Sequence, residues 1–192
     1  MPNTAYRQLE ARYRRIALLG EATSILHWDT AAIMPGGGAP ARAEQLAEMR
    51  AVVHGLSTAP EIGDLAADAE ADTDGLDDWQ RANLREIRQH WIKATAIPAD
   101  LVVALSRACS SCETVWRGAR VDADFAAVQP LLQEVLNLTR QAGRAKAEAT
   151  GLSLFDALLD DFEPGGRSAD IDLVFADLEA FLPDFLQQVL QA

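Results

Sequence analysis

Apolar residues return at steps of three and four along almost the whole chain, and strict alternation over strand-length windows is hard to find. That period belongs to amphipathic helices, whose buried stripe comes round every 3.6 residues. It predicts an all-α fold: a multi-helix antiparallel bundle, with residues 1–192 as a single helical domain.

The punctuation between periodic stretches divides the chain. A first helix opens after Asn3, carries Tyr6, Leu9, Tyr13, Ile16, Leu19, Thr23 and Leu26 on one stripe, and is expected to stop near His27-Trp28-Asp29. Met34-Pro35-Gly36-Gly37-Gly38 reads as a loop, after which Pro40 suits the first turn of a helix bearing Leu46, Met49, Val53 and Leu56. Thr58-Ala59-Pro60-Glu61 has the form of a capping box and starts a short third helix. Leu76 to Trp91 forms a fourth. Ile97-Pro98 opens a long one whose stripe runs through Leu101, Leu105, Ala108, Cys112, Val115 and Ala119.

Asp124 is expected to cap a short turn, Pro130 to start the next helix and Gly151 to end it. Ser153 begins a brief helix that stops before Glu163-Pro164-Gly165-Gly166, and Ser168 is expected to cap the last one. There Ile171, Val174, Leu178, Phe181, Phe185 and Val189 keep the period to the end, with a kink expected at Pro183. No stop signal precedes Ala192, so the helix reads as interrupted and the chain as a fragment.

Charge narrows the functional classes. Seventeen Lys plus Arg against 29 Asp plus Glu give a net charge of -12. Such a surface repels a nucleic-acid backbone or an anionic bilayer, so neither is expected as a partner. The first residues lack the basic start and apolar run of a signal peptide, and no apolar stretch approaches a bilayer's thickness, which makes a cytoplasmic location the simplest expectation. Two cysteines, Cys109 and Cys112, are too few for a disulfide framework.

Candidate chemistry is sparse. The histidines His27, His54 and His90 have no histidine partner at helical ligand spacing, and H-E-x-x-H, which would hold a catalytic zinc, does not occur. Cys109-Ser110-Ser111-Cys112 matches C-x-x-C but falls inside a helix, where packing is the expected role. Glu70-Ala71-Asp72-Thr73-Asp74-Gly75 opens like a calcium loop, yet Arg81 stands where the closing glutamate belongs, leaving a solvated linker. Asp160, Asp161 and Glu163 read as carboxylates solvated at a helix end. No catalytic or metal-ligating residue is expected in this chain.

Several anchors together form a distinctive series: Leu26-His27-Trp28-Asp29, Met34-Pro35, Arg42-Ala43-Glu44-Gln45-Leu46, Trp116-Arg117-Gly118-Ala119-Arg120, Asp124-Phe125 through Leu132, and Phe155-Asp156-Ala157-Leu158-Leu159-Asp160-Asp161-Phe162-Glu163-Pro164-Gly165. In order and spacing the series resembles the N-terminal portion of the carboxypeptidase Taq family of metal-dependent carboxypeptidases. Phe155, where the family pattern has tyrosine, and Gly166-Arg167 depart from it without disturbing the helical reading.

The resemblance implies the N-terminal helical half of a grooved, zincin-type peptidase, forming one wall of the groove. Zinc or another divalent metal is implied for a full-length parent, with its ligands beyond the matched region and no cofactor in this chain. Peptide substrates likewise belong to the parent, and this chain alone is expected to be inactive. The implied partner is the missing C-terminal catalytic half or a partner chain, and homodimerisation is a further family expectation. Trp28, Asp29, Arg42 and Glu163 are the candidate groove or interdomain contacts, with capping and pairing as their alternative roles. The competing reading is a free-standing helical interaction module derived from that scaffold.

Overall fold

The start of the first helix follows from one side chain. Asn3 accepts the Tyr6 N–H on its Oδ1 at 2.9 Å, meeting an amide that has no partner inside the helix. Its Nδ2 then donates to the Ala69 and Asp72 carbonyls at 3.0 and 2.7 Å, so the same residue ties the beginning of the chain to a segment far along it.

The computed structural model describes residues 3–191. Among them are α1 (Thr4–Ala32), a single 3-10 turn (Gly36–Gly38), α2 (Ala39–Ser57), α3 (Pro60–Ala71), α4 (Asp78–Ala96), α5 (Ala99–Asp122), α6 (Phe125–Thr150), α7 (Leu154–Leu159) and α8 (Ser168–Gln191), with no strand among the described residues. The all-α expectation holds. Packing joins α1 to α2 and α3, α2 to α5, α5 to α6, α4 to α3 and α6, and α6 to α7.

The main core lies where α1, α3 and α4 meet. Tyr6 and Leu9 from α1, Ile62, Ala66 and Ala69 from α3, and Leu84 and Ile87 from α4 are all buried, with Leu76 ahead of α4 closing the cluster. Each large aliphatic side chain withdrawn from water there contributes about 1.5–3 kcal/mol. Gly63 lets α3 approach Trp91, because a Cβ at that position would stand 2.6 Å from the indole ring. Asn83 donates to the Tyr6 hydroxyl at 2.9 Å and the Tyr13 hydroxyl to the Ile87 carbonyl at 3.2 Å, whereas the Trp91 indole N–H is buried without a partner. Burial pushes the Tyr13 phenol up to about 12.

Several boundaries differ from the sequence expectation, each for a local reason. α1 continues past His27-Trp28-Asp29 to Ala32, and the Asp29 carbonyl then accepts both the Ile33 and Met34 amides. Thr58 does not cap α3. It closes α2, its N–H and its Oγ1 both donating to the His54 carbonyl at 2.9 Å, and α3 starts at Pro60, which has no N–H to satisfy. The reciprocal capping box belongs to α4, between Asp77 and Gln80.

α6 begins at Phe125 under the Asp124 cap and runs through Pro130, which lies inside the helix instead of at its start. At this sixth helical position a proline cannot donate to the carbonyl four residues back, and its ring crowds that carbonyl. Gly151 ends α6 as expected, in the left-handed conformation at φ 72° that glycine adopts without steric cost. Ser168 is the first residue of α8; its amide is met by the Asp156 carboxylate on α7, at 2.8 Å.

Candidate functional site

Two polar constellations stand out, and the sequence candidates divide between them. At the first, Arg42 near the start of α2 reaches the end of α1. Its guanidinium pairs with the Asp29 carboxylate at 2.6 Å, donates to the Leu26 carbonyl at 2.6 Å and to the Thr30 hydroxyl at 3.3 Å, and donates through Nε to Gln45 at 2.9 Å. A cation at a helix C-terminus also meets the negative end of the helix dipole. Arg42 and Asp29 are both largely buried, so the pair fixes the α1–α2 corner.

Trp28, beside them in sequence, points elsewhere: it is 62% exposed. Arg117 from α5 adds a bond to the Thr30 carbonyl at 2.8 Å while holding Glu113 at 2.6 Å, so α2 and α5 both converge on the end of α1.

The second constellation surrounds the turn after α7. Asp160 accepts from Lys93 at 2.6 Å, from Arg167 at 3.2 Å and from the Gly165 amide at 2.9 Å. The Lys93 hydrogen bond and the Gly165 amide, more than any other contact, hold its carboxyl at about 2. Lys93 also donates to the Asp160 carbonyl at 3.0 Å, and Lys146 from α6 pairs with Asp161. The expectation of a solvated helix-end carboxylate is therefore overturned for Asp160, while Asp161 is exposed and also paired. Their partners lie on α4 and α6, and Asp160 is buried.

Glu163 does belong to this turn, but through its backbone, its amide donating to Leu159 and its carbonyl accepting from Gly166; its side chain is exposed and lies against Gly166. Asp156 contributes the bond that starts α8, and that bond holds its carboxyl below the usual range. The anchor from Phe155 to Gly165 thus joins α4, α6 and α8.

Among the described residues no three His, Cys, Asp or Glu side chains are grouped as ligands. His27 lies 3.3 Å from the Arg50 guanidinium, and His90 faces the Tyr13 hydroxyl at 3.1 Å. Burial lowers both imidazoles, with nearby cations adding to the effect. Cys112 is buried between α5 and α6 and Cys109 is exposed. No described helix is long and apolar enough to cross a membrane.

α8 exposes apolar side chains along its length. Phe175, Phe181 and Leu186 are 64%, 56% and 55% exposed, Phe181 and Phe185 stack on each other at 5.1 Å, and no residue of the helix is buried.

This arrangement has known counterparts. The profile of the carboxypeptidase Taq (M32) metallopeptidase family matches residues 8–192. Thermostable carboxypeptidase 1 of Thermus thermophilus is 33% identical over 199 residues, covering 98% of this chain and 39% of its own length. The enzyme of the same name from Pyrococcus furiosus is 30% identical, covering 98% and 37%.

Among solved structures, Trypanosoma cruzi metallocarboxypeptidase 1 superposes with a TM-score of 0.79 at 31% identity, over 98% of this chain and 38% of its own. The Pyrococcus furiosus carboxypeptidase does so with a TM-score of 0.78 at 29% identity, over 99% and 38%. The chain spans about two fifths of the length of these relatives. With the superpositions and the profile match over residues 8–192 in agreement, the chain belongs to the carboxypeptidase Taq (M32) metallopeptidase family.

Proposed function

We propose that the chain is the N-terminal helical wall of a metal-dependent carboxypeptidase that releases C-terminal amino acids from peptides, and that it is inactive alone. The observation carrying this reading is the coverage: nearly all of this chain matches, but only 37–39% of each curated Thermus or Pyrococcus relative. The ligand-poor side chains and the apolar α8 are what a supporting portion of a larger body would display. Zinc or another divalent ion and the peptide substrate would be held by the remainder, whose metal would supply the polarisation of water and of the scissile carbonyl.

In this reading Arg42–Asp29 and the Asp160 cluster set the positions of α1 and α8, and Trp28 and Glu163, both exposed, are the side chains free to meet the groove or the other half. The partner is the C-terminal catalytic half, the assembled enzyme is a homodimer, and its compartment is the cytoplasm. A free-standing interaction module would use the same α8 surface, and the coding sequence separates the two. A reading frame continuing past Ala192 into H-E-x-x-H supports the peptidase; an immediate stop supports the module. In the matching assay, purified chain with added zinc or cobalt should release no C-terminal amino acid while the longer parent does. Metal-dependent release by the chain alone overturns the proposal.

A further inference from the structure

α8 is held at one end only. No residue of it is buried, and among the described residues no other helix packs along it. Its 24 residues therefore form a rod that stands clear of the body, about 36 Å long at ~1.5 Å per residue. The stacked rings of Phe181 and Phe185 both belong to the helix itself and tie it to nothing else. The direction of the rod is decided where it begins.

Two carboxylates meet it there. Asp156, in the first turn of α7, and Asp160, just past its end, lie four residues apart and so share a face. Asp156 accepts the Ser168 amide at 2.8 Å, which fixes the first residue of α8. Asp160 accepts from the Arg167 guanidinium at 3.2 Å and from the Gly165 amide at 2.9 Å, which fixes the chain just before it. α7 is in turn braced to the body, since Lys93 on α4 holds Asp160 at 2.6 Å and Lys146 on α6 holds Asp161.

Between α7 and α8 the backbone turns at Gly165, whose φ of 85° lies in the left-handed region that glycine enters without steric cost. Loop residues of this kind are where hinges absorb rotation. A pivot of about 10° there would carry the far end of the rod roughly 6 Å.

We infer that Asp156 and Asp160 form a two-point clamp that aims α8, and that the helix is otherwise a free arm: opening the clamp redirects the arm and leaves the body folded. The two contacts do different work. The amide bond to Ser168 leaves the helix free to swivel about it, and the Arg167 pair, carried on a flexible side chain, leaves it free to tilt. The inference goes beyond the proposed function, since it concerns how this chain sets the angle of α8, whichever surface covers that helix.

Distances within the chain, measured by double electron–electron resonance, test the clamp. Trp79 at the start of α4 and Gln188 on α8 are both exposed, and p-acetylphenylalanine at these two positions carries nitroxides without using Cys109 or Cys112. Dilution with unlabelled chain removes distances between molecules. The intact clamp should give one narrow maximum. Asp156→Ala combined with Arg167→Gln should broaden the distribution by about 6 Å or more while the helical content is retained. Asp156→Asn, whose side-chain oxygen still accepts the Ser168 amide, should keep the narrow maximum.

A broad distribution in the wild type, or an equally narrow one in the double variant, overturns the clamp. So does broadening in Asp156→Asn as large as in Asp156→Ala. Should the double variant fail to fold, Arg167→Gln alone decides, at a side chain that is 36% exposed: broadening supports the clamp and an unchanged width overturns it. None of these outcomes bears on the proposed function, which the peptidase assay tests separately.

Discussion

The corner where α1, α3 and α4 meet and the helix α8 are built from the same kinds of residue in the same period, yet they end in opposite states. Leu9 and Ile62 are fully buried, whereas Leu178, Phe181 and Phe185 on α8 are 40–56% exposed. α8 is ordered at its start by its neighbours: Asp156 accepts the Ser168 amide, and Arg167 just before it joins Asp160. Its apolar face has received no cover. Helical periodicity records which face is meant to be buried, and burial itself needs a second surface.

Substitutions that treat the two regions alike should therefore have unlike effects. Leu9→Ala should lower stability by about 3 kcal/mol, within the span of large-to-small core changes, as a shift in the midpoint of denaturant unfolding followed by circular dichroism. A loss below about 1 kcal/mol would break the comparison by showing that the corner can collapse around the gap.

Asp160→Asn comes next, at about 2 kcal/mol, since it weakens charge-assisted bonds to two cations and leaves Lys93 short of its main partner. The carboxyl's ordinary value of 3.8 falls to about 2 in the fold. Its contribution is therefore complete above the unfolded value and is lost as pH falls through the folded one. Acid titration of stability should show a decline between those values in the wild type, and a shallower one in Asp160→Asn.

Arg42→Ala should cost about 1–2 kcal/mol through the lost Asp29 pair and the lost bond to the Leu26 carbonyl. Amide hydrogen exchange should locate the change at the end of α1. The smallest effect is expected on α8. Phe181→Asp should alter the stability of this chain by less than about 0.5 kcal/mol, as for an exposed position, while reducing self-association in light scattering. In the longer parent the same substitution should be severely destabilising if α8 is covered there. Equal tolerance in both would remove the reason for regarding α8 as an interface.

Much of the fold was legible along the chain because its signals are local. The Asn3 start, the Ser153 cap and the Gly151 stop each depend on residues within one helical turn, and all three occur as expected. The errors arose where a residue had two local uses. Thr58 precedes Pro60 as a cap should, but its hydroxyl closes α2 instead. Pro130 suits a first turn, but Asp124 had already provided an earlier start.

The polar constellations were less legible. Asp29, Arg42 and Trp28 form one group of candidates in the sequence, although the structure half-buries the pair and exposes the tryptophan. Asp160 was misread because Lys93 lies 67 residues away, a separation at which periodicity carries no information about proximity.

The sequence by itself determined the helical class, most helix starts and the family, since apolar spacing, caps and an ordered series of anchors are properties of the chain as written. Only the tertiary structure decided which carboxylates are buried with cations and which apolar stripes stay open. Both depend on what another helix brings within a few ångströms, where desolvation and pairing set the energy of a charge or of an apolar face.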